Sequence, residues 1–310
     1  MLNQVPVNAV EIPASWKVVR LAGSLGAEIT GARLANASEE DAKAVAALLS
    51  EHQVVFFPDQ HLSLDEHVAL GRYFGEIEGH PNLNNPFTQH TEVFELAATQ
   101  GGVADEWHTD ITFQKQPALM SILQIKKCPP AGGDTMWSSL YAAYEALSQP
   151  MKDLCESLSA LHDALPHNRP DKMAVHPVVR VNPHTGRKAL YVNEHFTRRI
   201  VEMNATESDM LLDYLTKWIQ LPLFTVRYRW TEGTLGIWDN RFTQHYVLND
   251  FDGERIIHRV TVMGDEPQGV KPLPYQPWVR EGRLSATSRH DRQLFLYLKS
   301  ESGEHLAQEE

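Results

Sequence analysis

Apolar residues in this chain recur mostly in short bursts separated by clusters of Gly, Pro, Asn and Asp. That spacing predicts strands and turns, because a strand buries a face with few residues and turns favour those residue types. Residues 1–16 lack the pattern and read as a loose arm. Val18 to Ile29 holds strand-like pieces broken at Gly23 and Gly26, and 25–34 alternates well enough for a short strand and turn. Ser38 then opens a helix. Acids follow it in the first turn (Glu39, Glu40, Asp41), and Ala42, Val45, Leu48 and Leu49 fall on one face. Val54 to Phe57 predicts a buried strand stopped by Pro58. A second helix follows Ser63, from about Leu64 to Phe74, with Val68, Leu70 and Phe74 turned inward.

Residues 79–106 read as a polar loop with one strand, Val93 to Leu96, and a long loop in that place could serve as a lid. Strands are predicted at about 107–113 and 119–126. A hard turn follows over 129–135, then a short strand at Met136–Trp137. Ser138 or Ser139 caps a helical stretch over 140–160, broken near Pro150. The segment 162–176, rich in Pro, His and Asn, reads as a second loop. Val178 to Val181 and Ala189 to Val192 form a hairpin around Asn182–Gly186. Ser208 to Ile219 is an amphipathic helix, and strands follow at 224–230, 235–239 and 257–263. Many short strands, with helices gathered early and inserted midway, predict a mainly β fold with decorating helices and a jelly-roll core. Regular strand–helix alternation and a glycine-rich phosphate loop, which a doubly wound fold needs, are absent from the sequence. Nothing in the pattern divides the 310 residues into two domains.

Composition narrows the function. Net charge is −12 and the pI about 5.7. Such a chain is poorly suited to sequence-independent nucleic-acid binding, and an anionic ligand needs local Arg or His to hold it. Cys128 and Cys155 have no metal spacing and build no disulfide framework. No signal-peptide pattern opens the sequence and no apolar run is long enough for a membrane span, so the expected place is the cytoplasm.

The chemistry gathers at Trp107-His108-Thr109-Asp110. On a strand, residues i and i+2 share a face, so His108 and Asp110 could reach one ion from one side. With one distant histidine they would make the facial triad of non-haem Fe(II) oxygenases. A similar pair, His90-Thr91-Glu92, lies close by. The third ligand is sought on a downstream strand end, where His245 stands in WDNRFTQHY (238–246). Arg259, on a strand expected beside it, offers a planar two-point donor for a carboxylate.

These stretches resemble the taurine dioxygenase (TauD/TfdA) family of Fe(II)- and 2-oxoglutarate-dependent dioxygenases. The resemblance rests on WHTDITF (107–113), PPAGGDTMWSSLYAAYEALS (129–148), HPVVRVNPHTGRKALYVN (176–193), WDNRFTQHY (238–246) and RIIHRVTVMGD (255–265), in the family's order over about residues 18–267. It implies a double-stranded β-helix core, with 268–310 as a C-terminal extension of a single catalytic domain. It implies Fe(II) bound by His108, Asp110 and His245, with 2-oxoglutarate and O2 as co-substrates. Thr135 and Arg259 would hold the distal carboxylate of 2-oxoglutarate, Arg255 would lie toward its keto-acid end, and Trp238 would stand close to the iron. His80, with Arg259, would contact the anionic head of the substrate. His258 should point to the other face of its strand. The intact carboxylate of Asp110 argues against halogenation, because halogenating relatives lack it.

The implied reaction is hydroxylation of a small anionic substrate, coupled to decarboxylation of 2-oxoglutarate to succinate and CO2. A sulfonate or sulfate ester hydroxylated at the carbon bearing the anionic group collapses to an aldehyde plus sulfite or sulfate. The alternatives are the same chemistry on a carboxylate (an aryloxy acid, an amino acid or a biosynthetic intermediate) and a jelly-roll binding protein without turnover. Leu83 replaces a tyrosine of the taurine-specific enzymes and Ala104 an asparagine, which points away from taurine toward a less polar substrate. A homo-oligomer, dimer or tetramer, is expected. The apolar cluster Leu294, Phe295, Tyr297 and Leu298 would pack on the core or on a second subunit.

Overall fold

In the computed structural model, which describes residues 10–81, 86–98, 104–271, 294, 296 and 297, most of the apolar bursts become strands. β1 (Lys17–Arg20) and β2 (Ala27–Thr30) lead to α1 (Glu39–His52), β3 (Val54–Phe57), α2 (Leu64–Arg72), the short β4 (Ile77–Glu78) and β5 (Val93–Ala97). β6 (Ala118–Lys127) and β7 (Thr135–Ser139) precede α3 (Leu140–Glu145) and α4 (Gln149–Cys155). An inserted run follows: β8 (Ser159–Ala164), β9 (Arg169–Pro177), β10 (Val179–Val181), β11 (Lys188–Leu190), β12 (Thr197–Ile200) and α5 (Ala205–Ile219). β13 (Thr225–Tyr228), β14 (Leu235–Asp239), β15 (Thr243–Val247) and β16 (Ile256–Met263) complete the order. The helix starts read from the sequence form as reciprocal caps. Ser38 with Asp41 and Ser63 with Glu66 each exchange side-chain and backbone hydrogen bonds; the helix expected from Ser208 starts earlier, at Ala205, under the same kind of cap made by Asn204 with Glu207. Each cap contributes about 1 kcal/mol.

One eight-stranded sheet runs in the order β1-β2-β3-β14-β6-β16-β4, with β5 also on β16, and only β2–β3 is parallel. A three-stranded sheet, β13-β7-β15, packs over one face of it, and α1 and α2 cover the other. This is the jelly-roll core. Strand β3 shows why its sequence is apolar throughout: Val55 and Phe57 enter the core under the helices, while Val54 and Phe56 enter the core between the sheets. Strand β14 repeats the division with Leu235 and Ile237 on one side and Trp238 on the other. Gly236 sits where a Cβ would come within 2.6 Å of the Trp230 ring, so the tryptophan packing requires its missing side chain.

The inserted segments differ from the sequence expectation in two places. Residues 162–176 are largely paired strand: β8 and β9 form an antiparallel hairpin, joined by β12. The polar composition disguised it, because His162, Asp163 and His176 are buried there yet hydrogen-bonded. The helical stretch expected over 140–160 ends at Cys155, and Ser159 already belongs to β8. Leu294 of the C-terminal extension packs on Leu161 and Val201 of its own chain, while Phe295, Leu298 and Leu83 lie outside the described residues. Among the described residues no helix is long and apolar enough to cross a membrane.

His67 ties α2 to the large sheet, its Nε2 donating to the Ile122 carbonyl at 2.9 Å. Burial pushes its pKa from 6.5 down to about 4. The unfolded chain therefore binds this proton near pH 6.5 and the folded chain only near pH 4, so the stability is full above 6.5 and declines as pH falls through that window. The contribution of His67 falls by about 2 kcal/mol between pH 7 and pH 5. His67→Gln keeps a donor for Ile122 and should remove that part of the slope, read from urea unfolding of both proteins at the two pH values.

Candidate active site

The segment expected as a strand over 107–113 is not one. His108 makes a single antiparallel bridge to His245 on β15, with N–H···O bonds of 3.1 and 2.8 Å in the two directions. Thr109 Oγ1 donates to the Thr243 carbonyl at 2.9 Å. The chain then turns away over 110–113, with Ile111 at φ 49°, a left-handed value that β-branched residues rarely adopt. Asp110 thus reaches His108 from the start of a turn rather than by strand alternation.

The result is a compact triad. His108 Nε2 and His245 Nε2 each lie 3.9 Å from Asp110 Oδ1, and the ligand atoms all lie within 4.8 Å of one another. All three residues are buried. His108 Nδ1 donates to the Glu106 carbonyl at 2.7 Å, which leaves the Nε2 lone pair aimed inward. His245 Nδ1 has no partner among the described residues, and its ring is held between those of Trp238 (4.9 Å) and His108 (4.1 Å). Asp110 Oδ2 accepts from Ser121 Oγ and Oδ1 from Arg259 Nη1, both at 2.7 Å. Asn240 closes this network: Nδ2 donates to Ser121 Oγ at 2.9 Å, and Oδ1 accepts from Trp238 Nε1 at 3.0 Å and from the Asp110 amide at 3.4 Å.

Electrostatics keep the triad ready for a cation. Burial pushes the Asp110 carboxyl up, but Arg259, the two histidines and Ser121 outweigh it and hold the group well below the usual carboxylate range. Burial, with Arg259 acting in the same direction, lowers His245 to about 4, and burial and His245 push His108 well below its ordinary value. Two neutral imidazoles and one carboxylate on one side of a cavity fit a divalent iron-type ion with its remaining positions open.

That cavity measures about 370 Å³ and is lined by His80, Phe94, His108, Asp110, His167, His195, Phe196 and Arg259 among others. His80 packs 5.3 Å from the rings of Phe94 and His167. Burial, then Arg259, lowers its pKa to about 3, so it is a neutral donor or acceptor. Arg259 lies on β16, which pairs with β5 and β6 in the large sheet, whereas His245 lies in the small one. The expectation of neighbouring strands therefore gives way to a contact across the two sheets. His258 turns the other way, to Glu95 at 2.9 Å, as alternation predicts.

The pairing of Thr135 with Arg259 expected from the sequence is not the one the fold makes. Thr135 Oγ1 accepts from Arg255 Nη2 at 3.4 Å and from Trp230 Nε1 at 2.9 Å, while Arg259 is engaged at Asp110. Arg255 is buried; its Nε donates to the Gly133 carbonyl at 3.0 Å, and no carboxylate is paired with it among the described residues. Asp134 lies in the same region, but its carboxylate is bonded to Arg227 at 2.6 Å. Burial lowers the Arg255 pKa to about 10, which leaves it cationic near neutral pH. The competing pair from the sequence separates: His90 lies 3.8 Å from Asp65, and Glu92 pairs with Arg72 at 3.0 Å.

Sequence reasoning missed Ser121, Asn240, Glu106, His167 and His195. Ser121 is a lone hydroxyl within the apolar run 118–123 of β6, and that mismatch was a usable signal. Glu106 acts twice, through its carbonyl on His108 and through its carboxylate on His195 Nδ1 at 2.5 Å, and the backbone contact is one that side-chain identity does not report.

A family model described as taurine catabolism dioxygenase TauD, TfdA family matches residues 17–261. The chain is similar to an alkylsulfatase of Acinetobacter baylyi, 36% identical over 280 residues that cover 82% of this chain and 87% of that protein. It is similar to an alpha-ketoglutarate-dependent sulfate ester dioxygenase of Pseudomonas putida, 35% identical over 293 residues, 87% of this chain and 93% of that one. Among solved structures, a taurine dioxygenase from Burkholderia xenovorans aligns with a TM-score of 0.76 at 36% identity, covering 83% of this chain and 92% of that chain. The matched span contains the whole triad together with His80, Thr135, Trp238, Arg255 and Arg259, and the chain belongs to the TauD, TfdA family of dioxygenases.

Proposed function

We propose that this protein is an Fe(II)- and 2-oxoglutarate-dependent dioxygenase that hydroxylates a small organic sulfate ester or sulfonate at the carbon bearing the anionic group. The observation that carries the proposal is the pair of guanidinium groups at 255 and 259, one with no carboxylate partner among the described residues and the other at the metal carboxylate beside the cavity. Their Cα atoms are separated by about 13 Å of extended chain, enough to serve two different anions. Arg255 with Thr135 holds the distal carboxylate of 2-oxoglutarate, which revises the sequence assignment. Arg259 with His80 holds the substrate's anionic head.

His108, Asp110 and His245 hold the iron. Bound together, iron and 2-oxoglutarate supply oxidative decarboxylation to succinate and CO2 with transfer of one oxygen atom into a C–H bond. Ser121 and Asn240 fix the Asp110 carboxylate, and Trp238 fixes the His245 ring. Phe94, Ile111 and Phe196 exclude water around the reacting carbon. Once that carbon carries a hydroxyl, loss of its proton forms the aldehyde carbonyl as the bond to sulfate or sulfite breaks, and the sulfur group leaves with the electron pair.

The similarity to an alkylsulfatase and a sulfate ester dioxygenase supports the sulfate class over taurine. Ala104 lines the cavity with a side chain that offers no hydrogen bond to an ammonium group, which supports it too. We also place the protein in the cytoplasm, in keeping with its two free cysteines. Exposed Met210, Tyr214, Leu221 and Leu223 on and after α5 support a homo-oligomer.

The decisive experiment is anaerobic titration of the Fe(II)·2-oxoglutarate complex with alkyl sulfates, sulfonates and carboxylates, watching the visible charge-transfer band. Sulfate esters should shift the band and release succinate once oxygen is admitted. A shift with carboxylates alone would replace the substrate class, and absence of the band would remove the oxygenase reading. Two variants separate the anion sites. Arg255→Met should weaken 2-oxoglutarate by at least ~30-fold and leave the substrate preference unchanged, since losing one partner of a buried charge contact costs about 2 kcal/mol or more. Arg259→Met should weaken the sulfate ester by a similar factor, read as its dissociation constant in the same titration.

A further inference from the structure

One wall of the cavity carries two histidines that have no role so far. It is built by His167, His195 and Phe196, which arrive on two separate segments. His167 ends the short 3-10 turn Leu165–His167 that joins β8 to β9. His195 and Phe196 stand in the loop between β11 and β12. One buried carboxylate ties the two segments together. Asp163, at the end of β8, is fully buried. Its Oδ1 accepts from the Leu165 amide at 3.1 Å and from Arg198 Nε at 2.8 Å. Arg198 Nη2 in turn donates to the His195 carbonyl at 2.6 Å, and the Asp163 amide donates to the Phe196 carbonyl at 2.9 Å. A carboxylate is costly to bury. This one sits beside the cavity wall, not at the metal.

The wall is a run of rings in mostly edge-to-face contact. His80 meets His167 at 5.3 Å and 66°, His167 meets Phe196 at 5.4 Å and 79°, and His195 meets Phe196 at 4.4 Å and 77°. Phe113 backs His167 at 5.7 Å and 88°. Burial, then His195 and Arg259, lowers His167 to about 4, so it presents a neutral ring at neutral pH. The same cavity is lined by the apolar Phe94, Leu96, Ile111 and Pro166, with Asp105 and Glu106 also on its surface. A flat apolar group placed there gains ring contacts that a flexible chain does not.

We propose that His167 and His195 determine substrate specificity by selecting a ring-bearing apolar body behind the anionic head, and that Asp163 is the positioning residue that sets them. The proposal rests on the sulfate-ester reading above. The mechanism of selection is geometric: Asp163 holds together the two segments that carry the imidazoles, the Glu106 carboxylate holds the His195 ring through Nδ1 at 2.5 Å, and the rings accept a planar group more readily than a straight chain of similar size.

The test compares 2-phenylethyl sulfate with hexyl sulfate by anaerobic titration, using the wild-type Fe(II)·2-oxoglutarate complex and the variants His167→Leu, His195→Leu, Asp163→Asn and Asp163→Ala. The wild type should bind the phenylethyl compound at least fivefold more tightly. Each histidine variant should lose most of that preference while the charge-transfer band before substrate stays as in the wild type. Asp163→Ala should lose the preference fully and Asp163→Asn in part. Combined with His167→Leu and His195→Leu, Asp163→Ala should add nothing further, because it acts through them. Equal binding of the two sulfates by the wild type, or histidine variants with unchanged preference, would overturn the selection. Additive loss in the combined variant, or loss of the band in step with affinity, would reduce Asp163 to a structural role and overturn its part. Failure of either sulfate to shift the wild-type band would instead overturn the sulfate-ester reading, and this inference with it.

Discussion

The Asp110 carboxylate is buried, yet it stays charged, and the active-site region is arranged around that fact. Burial alone would push it toward the neutral acid. Arg259 reaches it from the large sheet, Ser121 from β6, and the two imidazoles from the bridge to β15, and together they outweigh the cost of burial. These partners come from both faces of the jelly roll. The carboxylate therefore sits at the joint between the sheets, and the packing of Trp137, Trp230 and Trp238 that holds the sheets together also holds the charge in place.

The same joint explains why the two arginines differ. Arg259 has a carboxylate to answer and a cavity beside it. Arg255 is buried among Thr135, Gly133 and the start of β7 with no carboxylate paired among the described residues. A buried guanidinium with only neutral acceptors is poorly satisfied, and an incoming carboxylate relieves it. The protein thus carries an unmet charge at one end of its interior and a balanced one at the other. In the proposed reaction that difference, rather than shape alone, would distinguish the two anions.

Much of this could be read from the residues, for identifiable reasons. Strands β3 and β14, buried on both faces, show as unbroken apolar runs, and Ser38 and Ser63 announce their helices through local hydrogen bonds that depend on near neighbours only. His258 and Arg259 were assigned to opposite faces correctly because β16 is regular there. The misreadings came where tertiary contacts override local pattern. His108 and Asp110 looked like a strand pair, but Ile111 takes a left-handed backbone that no periodicity predicts. The hairpin β8–β9 looked like loop because its polar side chains find partners supplied by distant segments, as His176 does at the Thr112 carbonyl. Thr135 was expected beside Arg259 and is hydrogen-bonded to Arg255 instead, because two guanidinium groups four residues apart are equivalent in sequence and separated only by what surrounds them.

The bridge between His108 and His245 also orders events in time. Thr109 and Thr243, which lock it, stand 134 residues apart in the chain. Contacts of such separation close late in folding, after the loop entropy between them has been overcome. A ribosome-bound chain that has not yet delivered β15 offers only two of the three triad side chains and lacks Arg259 of the carboxylate clamp. A redox-active metal held by this triad would thus be captured at the end of assembly, when the surrounding side chains are already in position to confine what it does.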